Sequence, residues 1–255
     1  MHMHISVDCT NVSLDDAAPV RVGWLLNETR SGLIYDAPTR VRSAPSRSSG
    51  AKSASQCPAI VGFESRLFEI ACPYDLEVEF DRDSDGNGFV RKASGGSSAV
   101  RQLDRVLVLM DEDEWRHPER PLIQLPLPYI FVADEPVYMT QLPPFLHYQK
   151  DPLPGMMLAG RFPIHIWPRP LMWAFEWHDP SRPLVLRRGE PLFYVQMETS
   201  PQSRSVQMVE AEPTEALMEY IDQLSGVVNY VNQTFSLFQA AEKRRPQRLL
   251  SPLER

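Results

Sequence analysis

The sequence is short of cysteine, of clustered cations and of long apolar runs, and each shortage removes a class of protein. Cys9, Cys57 and Cys72 form an odd set with no CxxC spacing. That argues against a disulfide framework or a zinc site and for reduced thiols in a cytosolic setting. No stretch approaches the length of a membrane span, and the opening MHMHISVDCT lacks the apolar centre of a signal peptide. A cytoplasmic (or virion) location with no membrane partner is therefore expected. The formal net charge of −7 leaves little to neutralise phosphate, so nucleic acid is not expected as the main partner. Two basic tracts, 40–52 and 243–248, run against that trend. P-loop, GxGxxG and GxSxG motifs are also missing, which removes the common nucleotide-binding and hydrolase signatures.

What the chain has in quantity is proline. Of 24 prolines, 15 fall between Pro118 and Pro191, each fixing φ and removing a backbone donor. Long helices are excluded there, and short strands with sharp connections fit. With 43% hydrophobic and 23% charged residues over 255 positions, the chain can bury a sizeable core.

Residues 1–39 hold two candidate strands, HISVDC and VRVGWLL. Residues 40–56, rich in Ser and Arg, read as a flexible linker, and KASGGSSAV at 92–100 is a second soft segment. A β core is expected over 57–212. DLEVEF alternates, with Leu76, Val78 and Phe80 on one face. RVLVLM (105–110) reads as a strand buried on both faces, and YIFVADEPVYM as two strands broken near Pro136.

DRDSDGNG (81–88) opens like a calcium loop, but its twelfth position is Lys92 where a bidentate acid belongs, and its flank is a strand. A turn joining DLEVEF to GFVRK accounts for it, and no calcium is expected. The acidic run DEDEW (111–115) reads as a solvated loop, and His2 and His4 as a frayed terminus.

RFPIHIWPRPLMWAFEWHD is the most patterned stretch. A connection at 168–171 would pair its flanks antiparallel, with Ile166 facing Trp173, Ile164 facing Phe175 and Phe162 facing Trp177. His165, Glu176 and His178 are the ligand types of a two-histidine, one-carboxylate iron site. That pairing sets His165 and His178 too far apart for one metal, and Arg161 diagonal to Glu176 suits an ion pair. PLVLRRGEPLFYVQME reads as a second hairpin, with Phe193, Val195 and Met197 on one face. It loosely resembles a closing element of trimeric dUTPase-like folds, whose nucleotide-binding motifs do not occur here in matching order.

After Pro213 the period changes. Leu217, Ile221, Leu224, Val228, Val231, Phe235 and Phe238 follow a 4-3-4-3-4-3 spacing, which predicts one amphipathic helix over 213–245 and then a tail, 246–255. The e and g positions carry no charge, so the stripe either packs on the chain's own sheet or joins copies into a homo-oligomer.

The order CPYDLEVEF, PYIFVADEPVYM, GRFPIHIWPRPLMWAFEW, RRGEPLFYVQME resembles a group of uncharacterised β-rich proteins of tailed bacteriophages and their hosts, over the middle half of the chain. The resemblance implies a phage or bacterial cytoplasmic origin and transfers no catalytic residue. The expectation is a mainly β, sandwich or jelly-roll-like domain with one long C-terminal helix. Its expected function is non-enzymatic assembly or binding through that helix, phage-associated as the resemblance implies. The alternative is a metal-dependent β-barrel enzyme holding iron on His165, Glu176 and His178.

Overall fold

The computed structural model describes residues 18–27, 33–44, 54–94, 103–201, 204–228 and 234–254. In chain order the first elements are β1 (Val20–Leu26), β2 (Thr39–Arg40), α1 (Pro58–Glu64), β3 (Leu67–Ala71), β4 (Leu76–Arg82) and β5 (Gly88–Lys92). Next come β6 (Val108–Leu109), β7 (Leu122–Pro126), β8 (Tyr129–Val132), β9 (Val137–Leu142), β10 (Gly155–Met157) and β11 (Gly160–Pro163). The last are β12 (Met172–Trp177), β13 (Leu184–Leu186), β14 (Pro191–Thr199), β15 (Val206–Glu210), α2 (Glu215–Val228) and α3 (Thr234–Arg244). Among the described residues strand outnumbers helix in a mixed α/β fold of several sheets, none of them closed into a barrel. The candidate strand HISVDC and the stretches 45–53 and 95–102 lie outside the described residues.

Four sheets share the work: β15-β1-β8, β10-β12-β7-β6, β11-β9-β14-β3-β2 and β13-β4-β5. A single large core draws side chains from all of them, including Val22, Val78, Trp173 and Phe193. The sheet β15-β1-β8 also has a second core on its other face, where Leu25, Ile130 and Val132 meet α2, α3 and the chain's last segment. This double burial explains why all four residues of β8, YIFV, are inaccessible.

Several expected elements are observed. VRVGWLL is β1, the break near Pro136 separates β8 from β9, and the DRDSDGNG turn joins β4 to β5. In that turn the Asp83 carboxylate accepts the backbone N–H groups of Asp85 and Asn87, and Gly86 takes φ +88°. Hydrogen bonds from the Asn87 side chain and backbone hold the Asp83 carboxyl below its ordinary range.

Three expectations are corrected. The aromatic hairpin does not form: β11 pairs with β9, and β12 pairs with β7 and β10 in a different sheet. Pro163 lacks the N–H a central position needs, so β11 lies at a sheet edge, and the chain turns at 164–166. Likewise β13 pairs with β4 while β14 pairs with β3 and β9, so only the glycine turn of the second hairpin survives. RVLVLM supplies a two-residue edge strand, with Val106 and Leu107 buried but Val108 44% exposed.

The single long helix is also replaced. The Tyr220 hydroxyl lies 2.7 Å from the Ile166 carbonyl and 2.8 Å from that of Ala241. One continuous helix would hold Tyr220 and Ala241 about 31 Å apart at 1.5 Å per residue. The chain therefore folds back, and α2 packs against α3. Thr214 caps α2 by accepting the Leu217 N–H.

The segment after Pro246 is a latch rather than a loose tail. Leu249 and Leu250 are buried, their N–H groups donate to the Asp134 carboxylate, and Pro252 bridges to Ala211. Arg245 ties the same corner down by donating to the carbonyls of His165 and Asp134. A Cβ on Gly23 would come within 2.4 Å of Leu250, so β1 needs glycine where the latch crosses it.

Candidate functional site

Glu176 and His178, on and just after β12, do meet. The Glu176 carboxylate, 7% exposed, lies 2.8 Å from His178 Nε2, 3.4 Å from Arg120 and 3.8 Å from Arg116. His165 does not join them. It sits in the turn after β11, in the neighbouring sheet, with Nδ1 3.0 Å from the Val137 carbonyl and its ring 5.9 Å from Tyr138. Burial lowers its pKa. The proposed iron triad is therefore not assembled, and among the described residues no three His, Cys, Asp or Glu side chains are placed to hold a metal. The expected ion pair of Arg161 with Glu176 is replaced as well: Arg161 pairs with Glu198 at 2.7 Å and lies over Tyr138. Glu176 takes its cations from the segment before β7 instead. Arg116, Arg120 and His178 around one buried acid make a compensated cluster.

Of the heptad residues, Leu217, Ile221 and Leu224 are 1–3% exposed within the second core, and Phe238 packs 5.5 Å from Trp167. Val231 lies outside the described residues, and the side chains of Val228 and Phe235 are not described. Association through Leu217, Ile221 and Leu224 would require opening the protomer.

A wide groove of about 960 Å³ runs between β5 and residues 103–115. Leu103, Leu107 and Trp115 form its floor, while Asp104, Asp111 and Glu112 supply one charge and Arg91 and Lys92 the other. Glu112 is taken up by Arg82 at 2.6 Å. The DEDEW run thus forms a short 3-10 turn with exposed acids.

The surface that sequence reasoning missed is LPPFLHY, between β9 and β10. Phe145 is 53% exposed, Leu146 51% and Tyr148 90%. The Phe145 ring sits 5.4 Å from Tyr194 and 5.9 Å from Phe63 of α1, a helix that also exposes Val61. Two successive turn bonds, Phe145 N–H to Pro143 and His147 N–H to Pro144, stiffen the loop. Two prolines followed by Phe-Leu-His-Tyr were the available signal. Compared with known families, curated proteins and solved structures, the chain finds no match.

Proposed function

We propose that this chain is a non-enzymatic binding and assembly protein that meets a second copy of itself through the loop 143–148 and α1. One observation carries the reading: Phe145, Leu146 and Tyr148 stand out of the surface on a loop pre-shaped by two prolines, and Val61 is exposed on α1. Rigid exposed aromatics are the residue type that dominates contact energy, because little side-chain entropy is lost on docking. A sandwich-like layering of the sheets, supported by the core they share, would hold the patch at the end of the five-stranded sheet. Self-association of this kind also suits the phage-associated, cytoplasmic or virion setting that the resemblance implies. Among the described residues no helix is long and apolar enough to cross a membrane.

The test is molar mass by light scattering after size exclusion. The wild-type chain is expected at a multiple of 29.1 kDa, and Phe145→Asp with Leu146→Asp is expected to return it to one copy. A wild-type monomer at every concentration would overturn the self-association. Ile221→Asp separates the two surfaces, since it should unfold the second core rather than dissociate a folded assembly.

A further inference from the structure

Arg169 stands in the segment Trp167–Pro170, between the turn after β11 and the start of β12, and two cavities meet at it. One, about 290 Å³, is walled by Trp167, Met172 and the α2 residues Ile221 and Leu224. The other, about 260 Å³, includes Gln124 and Gln141. Both also include Pro170. Among the described residues neither cavity has an acidic side chain, and no carboxylate forms an ion pair with Arg169.

The guanidinium is nevertheless well placed. It lies 4.9 Å from the centre of the Trp167 ring, and its Nε donates at 3.4 Å to the Pro170 carbonyl. Trp167 is itself fixed, by its N–H to Pro163 at 2.8 Å and by ring contacts to Phe162 and Phe238. Burial lowers the Arg169 pKa, and no neighbouring acid opposes that. An arginine stays protonated all the same, so a positive charge is held in a partly dry cleft with no counter-charge among the described residues.

We propose that this cleft binds a small monocarboxylate with an apolar body, its carboxylate on Arg169 and its body against Trp167 and α2. The forked guanidinium matches a carboxylate in two parallel hydrogen bonds. A single cation, with no second base and no cluster of backbone amides, suits one negative charge better than a phosphate dianion. The buried Gln141, whose Nε2 donates to the Met172 carbonyl at 3.3 Å, and Gln124 make the adjoining cavity polar. Each cavity lies below the span of about 300–1,000 Å³ typical of ligand sites, which limits the body to one ring or a short chain. The site is separate from the docking loop, so its test is independent of the assembly reading.

Phenylacetate, hexanoate and inorganic phosphate, titrated into the full chain by calorimetry and tryptophan fluorescence, test the proposal. At least one carboxylate is expected to bind saturably and more tightly than phosphate, and the preference between ring and chain identifies the source of the ligand. Arg169→Gln should weaken that binding by roughly tenfold or more, the size of a lost charge-assisted pair. Arg169→Lys should lose most of it despite keeping the charge, and Arg161→Gln, outside the cleft, should change nothing. Circular dichroism keeps misfolding apart from loss of the site. No saturable binding of either carboxylate, equal binding of phosphate, or unchanged affinity in a folded Arg169→Gln chain would each overturn the proposal.

Discussion

Glu176 and Arg169 lie on or beside the same strand, β12, and are opposite solutions to burying a charge. Glu176 is buried but has His178, Arg120 and Arg116 around it. Arg169 is only part-buried, yet among the described residues it has an aromatic face and one backbone carbonyl, and no acid. A buried charge whose partner is removed is costly, whereas a group without a partner has no such interaction to lose. The first arrangement is therefore structural and closed, while the second is open to a partner from outside.

Breaking the closed cluster gives the largest expected effect. Arg120→Leu combined with His178→Leu leaves the Glu176 carboxylate buried beside only the exposed Arg116, and should remove about 3 kcal/mol of stability. Urea denaturation measures it, and a loss below about 1 kcal/mol would mean Glu176 is solvated, dissolving the contrast. Glu176→Gln should cost less, about 1.5 kcal/mol, because the cations it abandons reach water. Arg169→Met should be close to neutral, within about 0.5 kcal/mol, since it trades an uncompensated charge for an apolar side chain. A destabilisation there as large as that of Glu176→Gln would show that the protein itself satisfies Arg169.

The smallest effect belongs to His165, a base of intermediate burial. Burial leads in lowering its pKa below 6.5, and the charge of Arg245 adds to this against opposing contributions from Val137 and Glu242. The unfolded chain then takes up the proton first as pH falls. The contribution of His165 is thus complete above pH 6.5 and is lost as pH falls through the lowered folded value. Thermal midpoints measured between pH 7.5 and 5 should fall slightly less for His165→Gln than for the wild type.

Alternation along the chain was legible, and partners were not. Trp173, Phe175 and Trp177 are fully buried on one side of β12, as their period requires. That period would be satisfied by any apolar surface, and the surface turns out to be the shared core, with β7 rather than β11 alongside. Strand pairing depends on contacts distant in sequence, which a local pattern does not encode. The helical period likewise found the buried face of α2 but carried no sign of the reversal that brings Ala241 back to Tyr220. Leu249 and Leu250 were two apolar residues in a polar end, too few to show a period. Arg169 had no pattern at all, since its burial comes from α2 closing over it from more than fifty residues away.

The latch has a consequence for synthesis. The second core is assembled from β1, near one end of the described chain, and from Leu249 and Leu250, near the other. During synthesis β1 is made before those two leucines, so its flank stays only partly covered, by α2 and α3, until they follow. A message truncated after Pro246 would yield chains whose helices lack their last clamp, giving cellular proteases a handle that finished molecules hide.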